Sequence, residues 1–143
     1  MIDADKLGFL GLEHGIPMSE LEARYASVDL TVVSLQKSKQ FAGTIPSKIF
    51  QSFARGVPVL FIGPEGDASE LVRRSRAGIV LCGSAEENIR ELEDFASKEE
   101  LVDELDRMSK SAVEFMTREY SRKIMAEKMT RILSDAVKQG FKN

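Results

Sequence analysis

The sequence predicts an α/β fold: a parallel sheet with flanking helices, followed by a helical C-terminal region. Three observations carry that reading. Short apolar runs alternate with helical patterns from residue 7 to residue 81. Two of the runs, Leu30 to Leu35 and Val57 to Ile62, are continuously β-rich, the mark of strands covered on both faces in a parallel sheet. From Ala85 onward the pattern is wholly helical.

Taken in order, KLGFLG, which begins at Lys6, reads as a strand and PMSELEARYASV as a helix, with Ser19 and Glu22 spaced as a capping box. DLTVVSL is the next strand. PSKIFQSFARG follows as a helix that Pro46 suits at its first position and Gly56 suits as its stop. VPVLFIG is a third strand, ASELVRRSRAG a helix stopped by Gly78, and IVL a fourth strand. Beyond these, Leu92 and Phe95, then Leu101, Leu105 and Met108, then Val113 and Met116 mark apolar stripes. Ser121 caps a last helix bearing Ile124, Met125, Met129, Ile132 and Leu133. The expectation is one domain over residues 1–143, with a strand/helix core at 1–83 and a helical region at 84–143.

Composition narrows the function classes. The 143 residues are 43% apolar and 30% charged, as in an ordinary globular domain. The net charge of -3 comes from interleaved acids and bases, which speaks against nucleic-acid binding. No run approaches the roughly 18 apolar residues of a membrane span, and the first residues lack signal-peptide order, so a cytoplasmic location is expected. Cys82 has no partner for a disulfide or a CxxC site, and the single His14 cannot build a multi-histidine metal site. Metal chemistry and a serine triad are therefore disfavoured.

A doubly wound domain normally has five or six strands, yet only about four are visible. The chain also starts almost at the first of them, without an opening βα turn. The expectation is a fragment whose open sheet edge is covered by another copy or by a missing domain.

The most informative stretch is FAGTIPSKIFQSFARGVPVLFIG, Phe41 to Gly63. It places a Gly-Thr-Ile-Pro-Ser-Lys turn at a helix N-terminus, where unpaired N–H groups and the dipole favour an anion such as phosphate. Lys48 in the first turn opposes that dipole, at a cost of about 0.3–1 kcal/mol unless something negative lies between them. The alternative is an ordinary helix start with Lys48 solvated or paired to a nearby Glu.

With these residues in view, the chain resembles the C-terminal, nucleotide-sugar-binding domain of retaining GT-B glycosyltransferases, and most of all bacterial polysaccharide and O-antigen type enzymes. The resemblance is carried by GTIPSKIFQ from Gly43, GVPVL from Gly56 and EGDASEL from Glu65. Weaker support comes from FLG at Phe9, ASVDLTVVSL, AGIVL at Ala77 and EYSR at Glu119. It covers most of residues 7–133 and implies a Rossmann-like sheet, partial here. It further implies that Thr44, Ser47 and Lys48 hold the diphosphate of a nucleoside-diphosphate sugar. Gln51, Glu65, Gly66 and Asp67 would face the nucleoside and the sugar. Catalysis would consist of stabilising the charge that grows on the diphosphate as the sugar leaves, without a metal or further cofactor. The product would be a glycan or lipid-linked acceptor carrying a hexose or N-acetylhexosamine of retained configuration. Implied partners are the nucleotide-sugar donor and an acceptor domain, with at most peripheral contact at the inner face of the membrane.

Two departures from the family pattern matter. The Glu-x7-Glu pair of the wider family falls on Gly43 and Gln51, so both carboxylates are absent, and the amide of Gln51 can only hydrogen-bond. The acceptor domain and the first βα units are also absent, and no catalytic residue is identified. This chain alone is expected not to turn over. Two other readings stand beside this one: an epimerase of the same architecture, whose acid and base this segment does not show, and a non-catalytic module that acts by association.

Remaining features have bland alternatives. Lys37 and Lys39 follow a strand end and could steer phosphate or be solvated. Arg73, Arg74 and Arg76 could meet a headgroup or simply stabilise a helix C-terminus. His14 reads as a turn residue, and Met108, Met116, Met125 and Met129 as core or interface filler.

Overall fold

The computed structural model describes residue 11 and residues 15–140. The strand expected at KLGFLG rests largely on residues outside these, and His14 also lies outside them. The described elements are α1 (Met18–Ala26), β1 (Thr31–Ser34), a 3-10 turn (Lys39–Phe41), α2 (Ser47–Phe53), β2 (Val59–Ile62) and α3 (Asp67–Ser75). They continue with β3 (Gly78–Leu81), α4 (Ala85–Ala96), α5 (Leu101–Tyr120) and α6 (Arg122–Gly140). Among the described residues the sheet has three parallel strands in the order β1-β2-β3, with Thr31 opposite Val59 and Val59 opposite Gly78. The α/β class and the helical region from Ala85 are as the sequence implies.

Strand alternation sends neighbouring residues to opposite faces, and the two faces are unequally covered. Val33, Val59, Phe61 and Val80 meet Ile49 and Phe53 of α2, Leu71 and Val72 of α3, and Ala112 and Phe115 of α5. Phe53 and Phe115 meet edge to face, with ring centroids 6.3 Å apart. Phe53 and Phe61 are fully buried, which stabilises the fold by roughly 1.5–3 kcal/mol each. On the other face Leu60, Ile79 and Leu81 are covered by Phe95 of α4 and Met108 of α5.

Four local expectations are corrected. Buried faces on both sides hold for β2 but not for β1, an edge strand whose Val32 is 60% exposed. No side chain caps α1: Pro17 occupies the N-cap, leaving Ser19 inside the helix, and Glu22 is drawn across to Arg55 of the segment after α2. Pro46 stands just before α2 as its N-cap, with its carbonyl accepting from Ile49 N at 3.1 Å. Gly78 does not stop α3, because Arg76, in left-handed backbone at φ 55°, already closes it. Gly78 instead opens β3, where a Cβ would collide with the Val59 carbonyl.

The C-terminal helices differ from each other in the same way. Ser121 does cap α6, accepting from Ile124 N at 3.4 Å. Yet of the apolar residues expected to pack there, only Ile124 is half-buried, and Met125, Met129, Ile132 and Leu133 are exposed. No helix among the described residues is long and apolar enough to cross a membrane.

Candidate functional site

In a parallel sheet the loops at the carboxyl ends of the strands gather on one edge, and ligand crevices form there. The loop after β1 contains Thr44 and leads into Ser47 and Lys48 of α2; the loop after β2 contains Glu65 and Gly66 and leads into Asp67 of α3. A hydrogen bond joins the two loops, Asp67 N donating to the Ala42 carbonyl at 2.8 Å. Gly66 makes this approach possible. At φ 153°, a Cβ there would run into the Ala42 carbonyl, so no other residue fits without moving the loop.

The two helix starts are not alike. At α3, Asp67 N is taken by Ala42, the Gly66 N–H donates to Ser69 Oγ at 2.9 Å, and Asp67 and Glu70 add negative charge to the first turn. Little is left there for an anion. At α2 no side chain caps the helix, and among the described residues the N–H groups of Ser47 and Lys48 have no acceptor. Thr44, Ser47, Lys48 and, one turn further on, Gln51 are all exposed. Gln51 uses its carbonyl to accept from Arg55 at 2.9 Å and leaves its amide side chain to solvent.

Glu65 has other partners. Its carboxylate takes a bidentate pair from Arg73, at 2.6 and 2.7 Å, and a third hydrogen bond from Ser69 Oγ at 3.0 Å. The Arg73 guanidinium holds the carboxyl well below the usual carboxylate range, at about 2, with Ser69 adding to the effect. Burial, and then the Glu65 charge, push the neighbouring Cys82 thiol up, which makes it a poor nucleophile. Glu65, Arg73, Cys82 and Gly83 line a cavity of about 580 Å³ along β3. Lys37 also reaches that side, its ammonium donating to the Gly83 carbonyl, while Lys39 stays in the exposed 3-10 turn.

Nearer the α2 turn, Ile45, Asp67, Arg74 and Tyr120 line a cavity of about 480 Å³; neither Ser47 nor Lys48 does. Tyr120 belongs to the EYSR element, and its ring lies 5.0 Å from that of Phe50 on α2, so the end of α5 is fixed against the site. Arg74 and Tyr120 are not among the sequence-predicted donor-site residues, although the EYSR string marks the position of Tyr120. Thus Thr44, Ser47 and Lys48 share one exposed turn with Gln51 one helical turn beyond, Gly66 and Asp67 abut it, and Glu65 is turned toward β3.

Among the described residues no group of three or more His, Cys, Asp or Glu is placed to hold a metal. Compared with protein-family models, with curated proteins and with solved structures, the chain matches none.

Proposed function

We propose that the turn from Thr44 to Lys48 binds the diphosphate of a nucleoside-diphosphate sugar, and that the chain is the donor-binding part of a retaining glycosyltransferase with a partial, Rossmann-like GT-B C-terminal domain. The observation that carries the proposal is the junction of two loops at the carboxyl edge of the sheet, made by Asp67 N and the Ala42 carbonyl. It brings an uncapped helix start, with Ser47 and Lys48 as donors, beside Gly66 and Asp67. The GTIPSKIFQ resemblance supports the same assignment.

In this reading Thr44 and Ser47 hydroxyls and the free α2 amides donate to diphosphate oxygens, and the Lys48 ammonium offsets the charge that grows as the sugar departs. Gln51 lies one turn along the same helix face and meets ribose hydroxyls; Asp67 accepts from sugar hydroxyls. Glu65 acts indirectly, by tying the loop before α3 to Arg73 in the last turn of that helix. Transfer itself needs an acceptor domain.

The test is calorimetric titration with uridine and guanosine diphosphate sugars. Heat with at least one donor, with affinity weakened on Lys48→Ala, is the expected result. A folded sample that gives no heat with any donor removes the reading. One observation favours a non-catalytic association module in that case: the apolar residues of α6 are exposed, with Met129 at 56% and Ile132 at 63%.

A further inference from the structure

At the opposite end of α3 from the donor turn, three guanidinium groups converge with too little acid to neutralise them. Arg74 and Arg76, from the end of α3, and Arg118, from α5, line a surface cavity of about 320 Å³ together with Ser111, Glu114 and Phe115. Arg74 is stacked on Phe115, its Cζ 5.4 Å from the ring centroid, so a planar guanidinium is held at the wall. Arg118 lies 3.8 Å from Glu114 and 3.2 Å from Glu119, a residue outside the cavity. The Arg76 side chain has no hydrogen-bond or ion-pair partner among the described residues. Three guanidinium groups therefore share two carboxylates, Glu114 in the cavity wall and Glu119 outside it, which acts on both Arg118 and Arg74; Arg76 is left without one.

The negative end of the α3 dipole, which would repel an anion, is partly neutralised by its own cap. The Val72 carbonyl accepts from Ser75 Oγ at 2.7 Å and the Arg73 carbonyl accepts from Arg76 N at 3.1 Å. That cap requires Arg76 to adopt the left-handed conformation, which a residue with a Cβ ordinarily avoids. Arginine stands here where glycine is the usual choice.

We propose that this cavity binds a phosphomonoester dianion. Guanidinium forks match phosphate oxygens two at a time, and the Ser111 hydroxyl supplies a further donor. Such a group could belong to a soluble phosphorylated metabolite or to a lipid headgroup; the recognising chemistry is the same. The cavity lies at the amino end of β3, roughly 13 Å along α3 from Asp67. It shares Arg74 with the wall of the 480 Å³ cavity but contains none of Thr44, Ser47, Lys48 or Gln51, so it does not rest on the donor reading.

The test is titration of the isotopically labelled full chain with inorganic phosphate, followed by amide NMR. Shifts are expected at residues 75–77 and 111–118, with affinity weakened by about tenfold or more in the double variant R76Q/R118Q. Glu114→Gln should strengthen binding several-fold, and this opposite sign decides the matter if the double variant does not fold. Lys48→Ala should leave these shifts unchanged. Cosedimentation with phosphatidylcholine vesicles doped with phosphatidic acid, also lost in the double variant, assigns the headgroup when free phosphate produces no shift. Shifts with free phosphate and no vesicle binding assign the soluble ligand. Equal binding by wild type and a folded double variant, loss of the shifts on Lys48→Ala, an unchanged or lower affinity in Glu114→Gln, or no response to either probe overturns the proposal.

Discussion

The starts of α2 and α3 sit side by side on the same edge of the sheet and solve the same problem in opposite ways. Every helix leaves its first N–H groups without helical partners. At α3 the protein supplies them itself, through the Ala42 carbonyl, Ser69 Oγ and the acids of the first turn. At α2 it supplies none and places Lys48 where an acid would stabilise the dipole. The lesson is that one end is finished and the other is not. A completed start contributes to stability alone, whereas an open one beside it has capacity for a ligand.

The harshest way to break the contrast is to separate the two loops. Gly66→Ala forces a methyl into the Ala42 carbonyl, and a loss of about 3 kcal/mol or more is expected in chemical denaturation, together with loss of donor binding. Lys48→Ala acts only on the open end. It should weaken diphosphate binding by about 1.5–3 kcal/mol in calorimetry and leave the melting temperature of the free protein unchanged or slightly higher. Equal affinities for the two proteins would remove the assignment.

The start of α4 provides a closed comparison. Ser84 Oγ accepts from Glu87 N at 3.2 Å, and the Glu87 carboxylate accepts from Ser84 N at 2.7 Å, a contact that lowers the Glu87 pKa. Ser84→Ala should cost about 1 kcal/mol of stability without affecting donor affinity.

A smaller effect comes from Glu65. Its folded pKa, about 2, lies below the ordinary 4.5, so the stabilisation is present above pH 4.5 and is lost as pH falls toward 2. Glu65 and Arg73 are 63% and 49% exposed, so solvent screening keeps this contribution to about 0.2–1 kcal/mol. Acid denaturation of Arg73→Gln should show that part of the slope gone; an unchanged slope would show that the pair contributes nothing. The finest adjustment is Gln51→Glu, which should tighten nucleoside binding by under about 1 kcal/mol while leaving inorganic pyrophosphate binding the same. An unaltered nucleoside affinity would place Gln51 outside the site.

How much of this was legible in the sequence depended on the range of the forces involved. Periodicity is local, so β2, α3, β3 and the change to pure helix at Ala85 were readable. The exposure of Val32 was not, because it depends on β1 lying at an edge among the described strands. Ser19 and Glu22 had the spacing of a cap, but Arg55, 33 residues away, offered Glu22 a charged partner and Pro17 fixed the entry of the chain. At the candidate site the small-residue turn and Lys48 were visible as a string. The capture of Glu65 by Arg73 and the meeting of Ala42 with Asp67 are contacts between separate turns, which spacing alone cannot reveal.

The aromatic contacts of Tyr120 have a consequence for how the C-terminal part can be handled. Its ring is 5.6 Å from Phe115 and 5.0 Å from Phe50, and the backbone swings into extended conformation at the next residue, Ser121. Every fully enclosed side chain among the described residues precedes that swing. A protease cut after Tyr120 would therefore shed α6 as a detachable arm and leave behind a trimmed body with its interior intact.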